Sequence, residues 1–245
     1  MAQEFSGKVV VITGGAGDIG RVAAARFIEE GARVVLLDSD EVGLERVAGE
    51  IKGASAKRID VTDLENVEAV FSAVFAEYDG IDVLVNCAGI YRHAGVLEMS
   101  AKEWHETLDV NLTGGFAASK SAGALMIRQE TGGVIVNMAS TAAKRGNPQH
   151  SHYCASKAGI VGFGRALAME LAPRVRVNAV APGVIESRMS ADMPGERRVS
   201  WMGQVPLGRF GLPTEVAEAI FFLASDRASY INGAVLNVNG GMWMD

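Results

Sequence analysis

The sequence predicts a doubly wound α/β fold: a parallel sheet of about seven strands with helices on both faces. Three observations predict it. Short apolar runs alternate with longer helical patterns along the chain. The runs are apolar and often β-branched at successive positions (Val9, Val10, Val11, Ile12; Val34, Val35, Leu36, Leu37), as in strands covered on both sides. A glycine-rich turn follows the first run directly.

The elements are expected in this order. A strand over Lys8–Ile12 runs through the turn into a helix near Ile19–Glu30, and a second strand over Arg33–Leu37 into a helix over Glu41–Ile51. A third strand, Ala56–Ile59, precedes a helix over Leu64–Tyr78, and a fourth, Val83–Asn86, precedes one long helix over Ala101–Gln129. The fifth strand, Val134–Met138, leads to a helix over Ser151–Leu171, and the sixth, Arg176–Ala179, to a helix over Thr214–Ala224. Val235–Val238 closes the sheet as the seventh. No linker, repeat or low-complexity segment interrupts this alternation, so residues 1–245 read as one domain.

The helix over Ser151–Leu171 carries small residues around its whole circumference: Ala155, Ala158, Gly159, Gly162, Gly164, Ala166 and Ala168. A helix small and apolar all round is buried on more than one side. One side can cover the sheet, and the other is expected to meet a second copy, giving a homo-oligomer, a dimer or homotetramer.

Composition excludes several classes. The net charge is −6 and no Lys/Arg run is present, so neither nucleic acid nor an anionic membrane is an expected partner. No apolar run reaches the ~20 residues of a membrane span. The first apolar run, Val9 to Ile12, is too short for a signal-peptide core and ends in a glycine turn, so a cytoplasmic location is expected. Cys87 and Cys154 have no metal-type spacing and suggest no disulfide; they are expected as small buried residues, and no metal site is expected.

The turn reads Thr13-Gly14-Gly15-Ala16-Gly17-Asp18-Ile19-Gly20 and opens a helix. Glycines there allow backbone to approach a pyrophosphate at a helix N-terminus, where amide N–H groups are free. Asp38 closes the second strand at the right distance to accept hydrogen bonds from the adenosine ribose hydroxyls. Its charge would repel a 2′-phosphate, and neither Gly17 nor Ser39 supplies a cation to offset that. NAD(H) is therefore expected over NADP(H). Further on, Tyr153 and Lys157 stand at i and i+4, on one helical face. A fixed ammonium near a phenol is expected to lower its pKa toward the range useful for acid–base catalysis.

With these residues in hand, the chain resembles the short-chain dehydrogenase/reductase family nearly end to end. The family turn is T-G-x-x-x-G-x-G; this chain keeps Thr13, Gly14 and Gly20 and places Asp18 where the middle glycine is usual, with Gly17 beside it. Asp18 is expected to cap the following helix. Asp60-Val61 resembles the adenine contact, and Asn86-Cys87-Ala88-Gly89 the segment after the fourth strand. Asn111 and Ser140 fall at the active-site asparagine and serine, and Tyr153-Cys154-Ala155-Ser156-Lys157 is the Y-x-x-x-K signature. Pro182-Gly183-Val184-Ile185-Glu186-Ser187 resembles P-G-x-x-x-T. The resemblance implies a Rossmann-type fold and hydride transfer between nicotinamide and a secondary alcohol or ketone. In it Tyr153 is the acid–base group and Ser140 holds the substrate oxygen. Lys157 lowers the tyrosine pKa and holds the nicotinamide ribose, and Asn111 holds a water leading to Lys157. Ile19 and Gly20 line the pyrophosphate, Ala88 and Gly89 the dinucleotide, and Ile185 and Ser187 the carboxamide.

For the substrate, the resemblance implies a variable lid over about 187–213, which here contains Met189, Met193, Trp201, Met202 and Phe210. These residues serve either as pocket lining or as core. His93, His150 and His152 could reach a substrate, His150 foremost because it lies three residues before Tyr153. The last third resembles 3-oxoacyl-(acyl-carrier-protein) reductases, which implies an acyl-thioester substrate. Lys144, Arg145, Arg188, Arg197 and Arg198 are then candidates for a carrier-protein patch. Those reductases usually prefer NADPH, against which Asp38 argues. The alternative is an NAD-linked dehydrogenase of a polyol, sugar or other small secondary alcohol. A non-catalytic dinucleotide-binding sensor is the remaining class.

Overall fold

In the computed structural model, residues 3–191 and 193–244 are described. Seven parallel strands form one sheet: β1 Val9–Thr13, β2 Arg33–Asp38, β3 Ala54–Arg58, β4 Val83–Asn86, β5 Gly133–Met138, β6 Val175–Pro182 and β7 Val235–Val238. Their order is β3-β2-β1-β4-β5-β6-β7. The order reverses between β1 and β4, so a crevice opens beyond the carboxyl ends of those two strands, where such folds bind ligands.

The α-helices are α1 Asp18–Glu29, α2 Glu41–Glu50, α3 Leu64–Tyr78, α4 Ala101–Leu108, α5 Gly114–Met126, α6 Ala142–Arg145, α7 Ser151–Glu170, α8 Arg188–Ala191, α9 Gly195–Met202 and α10 Pro213–Ala224. Strand side chains alternate between two cores, as the period of a strand requires. Val10, Ile12, Val34 and Leu36 pack with Phe27 of α1, Leu44 of α2 and Phe221 of α10. Val11, Val35, Leu37 and Leu84 pack with Phe71 of α3, Met126 of α5 and Leu167 of α7 on the other face. Phe5, Phe27 and Phe221 form an aromatic trio with centroids 4.8–5.4 Å apart.

The expected long helix over 101–129 is corrected. It divides into α4 and α5 around a π-turn over Asp109–Thr113. The physical cause lies outside the segment. The Asn111 amide binds the backbone of Ile90 at both ends, Oδ1 accepting from the N–H at 2.7 Å and Nδ2 donating to the carbonyl at 2.9 Å. A wide turn inserts a residue into the helical ladder and re-aims the next helix. Gly114 then passes so close to Val61 that a Cβ would lie 2.7 Å from its methyl group. The third strand also lies earlier than expected, with Ile59 just beyond its end and buried.

The two sides of α7 differ in exposure. Ile160, Val161, Leu167 and Ala168 are buried, whereas Gly162 faces open space and Met169 is exposed. Among the described residues no helix is long and apolar enough to cross a membrane, and no cluster of metal-binding side chains occurs.

Candidate active site

The crevice at the carboxyl ends of the strands encloses about 870 Å³. The glycine turn forms one end. Gly14 adopts φ +68°, and a Cβ on it would lie 2.6 Å from the Ala88 nitrogen. At Gly20 a Cβ would lie inside contact distance of the Gly14 carbonyl oxygen. Only glycine fits this backbone. The turn is fastened to β2: Gly15 N–H donates to Leu37 O at 3.0 Å, and Ala16 N–H to Asp38 Oδ2 at 3.1 Å. The Asp38 carboxylate thus stands at the crevice edge, oriented by the turn. Gly17, Ile19, Asp60, Val61, Ala88 and Gly89 face the same space. The Asp60 carboxyl accepts from the hydroxyl and N–H of Thr62, at 2.7 and 3.0 Å, which lowers its pKa.

Asp18 does not cap α1. Gly17 is the capping residue and has no side-chain cap. The Asp18 carboxylate turns across the cleft to the start of α8, where Oδ2 accepts from the Arg188 N–H at 2.7 Å and Oδ1 lies 3.4 Å from Arg188 Nε. Arg188 Nη2 donates to the Ala16 carbonyl at 2.6 Å. The reason is geometric: Asp18 already sits within the first helical turn, so its carboxylate points away from the free amides and toward a cation.

At the centre, β5 delivers Ser140 and α7 delivers Tyr153 and Lys157. Ser140 and Tyr153 both face the crevice, and the serine hydroxyl bears on the phenol, favouring its ionised form. Lys157 is buried; its Nζ donates to the Met138 carbonyl at 2.9 Å and lies 5.7 Å from the Tyr153 ring centroid. Gly89 makes room for this packing, since a Cβ there would approach both Asn111 Oδ1 and Lys157 Nζ, at 3.2 and 3.6 Å.

The expected acidified phenol is corrected. Burial pushes Tyr153 up to about 12, the Ser140 hydroxyl only partly opposing it. Burial likewise pulls Lys157 down to about 8. Loss of water disfavours both charged forms. The free site therefore holds its proton on Tyr153. Burial also raises Cys87 to about 12, so that half-buried thiol is not ionised. Cys154 is half-buried as well.

Two of the expected residues lie behind the crevice. The Asn86 amide donates to Ser119 Oγ and Asn137 Oδ1, both at 2.9 Å, and Asn111 is held by Ile90. Both line a separate cavity of about 10 Å³ together with Lys157 and Thr13, room for a single water.

Pro182, Gly183, Ile185 and Ser187 line the far wall. The segment that follows is anchored there at both ends, Glu186 N–H donating to Gly211 O at 2.8 Å and Gly211 N–H to Val184 O at 3.0 Å. Met189, Met193 and Trp201 face the crevice. Phe210 instead packs into the interior, and Met202 is not part of the lining.

His93 faces the crevice, but His150 does not. The His150 ring is fully buried, stacked on Tyr91 with centroids 4.3 Å apart, and its Nδ1 lies 2.7 Å from the Pro148 carbonyl oxygen. His152 is also fully buried, and neither of its nitrogens has a partner. The residue that meets Tyr153 is Tyr91, edge-on at 4.8 Å, with its hydroxyl accepting from Asn147 Nδ2 at 2.9 Å. Tyr91 escapes sequence reasoning. Its one signal is an aromatic ring two residues beyond Gly89, just past the end of a buried strand.

The chain matches the family model described as enoyl-(acyl carrier protein) reductase over residues 14–243. It is 42% identical over 243 residues to the 3-oxoacyl-[acyl-carrier-protein] reductase FabG of Thermotoga maritima, covering 97% of this chain and 98% of that one. It is 40% identical to the reductase of the same name from Vibrio cholerae, covering 98% and 99%. Among solved structures, the crystal structure of gox2181 superposes with a TM-score of 0.94 at 34% identity, covering 98% of this chain and 97% of that one. A Brucella melitensis structure titled short-chain dehydrogenase/reductase SDR:glucose/ribitol dehydrogenase gives 0.94 at 38% identity, covering the whole of both chains.

Proposed function

The chain belongs to the short-chain dehydrogenase/reductase family, and from that premise we propose that it is an NAD(H)-dependent oxidoreductase interconverting a secondary alcohol and a ketone, akin to 3-oxoacyl-thioester reductases. The observation that carries this reading is that Ser140, Tyr153 and the buried Lys157 face one crevice together with the glycine turn. That turn suits a dinucleotide: a Cβ at Gly14 or Gly20 would strike backbone of Ala88 or of the turn itself, so the glycines let the chain fold tightly and leave the N-terminus of α1 open to the crevice.

When bound, the nicotinamide supplies or accepts the hydride. The protein binds, orients and moves the proton. The first amides of α1, Asp18 to Gly20, would present their N–H groups to the pyrophosphate, the Gly15, Ala16 and Gly17 N–H groups being bonded within the fold. Asp38 accepts the ribose hydroxyls and disfavours a 2′-phosphate. Ser140 donates to the substrate oxygen and stabilises the charge that develops on it. In reduction, Tyr153 gives its proton to that oxygen as the carbonyl carbon gains the hydride; in oxidation the proton returns to the phenolate. Lys157, fixed on Met138, holds a positive charge beneath the phenol and steadies the phenolate. A water in the small cavity beside Asn111 would link Lys157 onward for proton exchange.

The enzyme works in the cytoplasm as a homo-oligomer, with the open side of α7 as the contact face. A second reading, dehydrogenation of a polyol or sugar, draws on the Brucella structure's title and on Asp38. The test is a panel of acetoacetyl thioesters, polyols and small secondary alcohols with both coenzymes. Replacing Tyr153 by Phe should lower turnover by about 10²–10⁴-fold while NADH binding persists. Near-normal turnover would refute its role, and NADH binding without turnover of any compound would favour the sensor reading. Asp38→Ser with Ser39→Arg should move preference toward NADP(H); an unmoved preference would remove the NAD(H) assignment.

A further inference from the structure

We propose that the substrate of this oxidoreductase carries a carboxylate a few bonds from the reacting carbon, and that Arg197 and Arg145 bind it. The inference rests on the alcohol–ketone reading and names the substrate class for that same site.

Charge is distributed unevenly in the crevice. Its described carboxylates, Asp18, Asp38 and Asp60, all stand at the glycine-turn end. Beyond Ser140 and Tyr153 the lining includes two guanidiniums and, among the described residues, no acid. The other lid arginines are matched to carboxylates: Arg188 to Asp18, Arg198 to Glu186 and Arg209 to Glu215. Arg197, half-buried on α9, has no such partner among the described residues. Arg145, at the end of α6, has among the described residues only the neutral Gln204 amide at 2.6 Å and the Trp201 ring at 5.5 Å as side-chain partners. A carrier-protein patch would need its cations on the outer surface. Here two of the expected patch residues are neutralised by acids, and these two face inward.

The position of Arg197 sets the length of the substrate. Its charge acts on Tyr91, His93 and His150, lowering the pKa of both imidazoles. The Tyr91 ring is 4.8 Å from the Tyr153 ring. An anion held against that wall is close to the proton-transfer site, which suits a short oxo or hydroxy acid better than an anionic group far along an acyl arm. A half-buried cation without a counter-ion gains most from an oxyanion, through a bidentate hydrogen-bonded pair.

The experiment uses the full-length enzyme with its preferred coenzyme. Short hydroxy carboxylates are compared with their methyl esters, and 3-oxoacyl thioesters of neutral N-acetylcysteamine with those of phosphopantetheine. The acid should exceed its ester in kcat/KM by at least about tenfold. Arg197→Gln should reduce that ratio by about tenfold or more, chiefly through KM, and Arg197→Lys should restore part of it. Esters turned over as well as acids, or Arg197→Gln lowering both alike, would overturn the proposal and leave the oxidoreductase reading standing. Turnover confined to phosphopantetheine thioesters would also overturn it, moving the anion to the end of a long arm. If no alcohol or ketone reacts with either coenzyme, the oxidoreductase reading itself fails and takes this proposal with it.

Discussion

Acidification should destabilise this fold through His150, and the structure gives the size of the effect. The ring has no exposed surface, its Nε2 lacks a hydrogen-bond partner, and it is stacked on Tyr91. Burial is the largest cause of its lowered pKa. The Pro148 carbonyl partly opposes it, while the neighbouring His93, Arg197 and His152 add to it. The result is a fall from the ordinary 6.5 to about 4. In the unfolded chain the imidazole takes up its proton through pH 6.5; in the folded chain it does so only near 4. Between those limits the unfolded state binds more protons, so stability falls as pH falls. It is complete above about 6.5 and the loss is finished below about 4, amounting to about 3 kcal/mol.

The assay is urea unfolding at several pH values between 7.5 and 4 for the wild type and His150→Phe. Phenylalanine keeps the stack on Tyr91 and cannot titrate, but it loses the hydrogen bond to Pro148, costing about 1 kcal/mol at pH 7.5. The variant should therefore be the less stable protein at pH 7.5 and the more stable one near pH 4. Parallel profiles for the two proteins would refute the reasoning, because His152, whose pKa is also lowered, titrates in both.

The glycine turn supports two further predictions. Gly14→Ala places a methyl group 2.6 Å from the Ala88 nitrogen at a residue with φ +68°. It should cost about 2–4 kcal/mol in chemical denaturation and abolish NADH binding measured by fluorescence, whereas unchanged binding would dispose of the cradle. Asp18→Gly should weaken NADH binding and speed its release in stopped flow by roughly threefold to tenfold, because it removes a partly exposed charge-assisted contact to the lid. Tighter binding in that variant would mean that the carboxylate's repulsion of the pyrophosphate outweighs the contact.

The sheet is readable because its inner strands carry consecutive apolar residues, as in Val9–Ile12 and Val34–Leu37, a pattern that survives without knowledge of their neighbours. The edge strand Ala54–Arg58 lacks that pattern and starts two residues before its expected position. The π-turn is not readable. The helical pattern runs on through Asp109–Thr113, and the cause of the break is a pair of hydrogen bonds to Ile90, twenty-one positions away. Spacing alone puts Tyr153 and Lys157 on one face, and they do share it. The direction of the tyrosine pKa cannot be read from spacing, because burial by surrounding elements decides it. His150 illustrates the same limit: three residues from Tyr153 in sequence, it is turned behind Tyr91 by the backbone at Gln149, where φ is +64°.

The Asp18–Arg188 bridge has a mechanical consequence. The first residue of α8 and the glycine turn share one carboxylate, and Arg188 also grips the carbonyl of Ala16, whose N–H Asp38 holds from the other side. Pulling α8 away at that point breaks these bonds and loosens the loop beside Asp38. The two segments are therefore mechanically coupled: whatever unlatches one slackens the other.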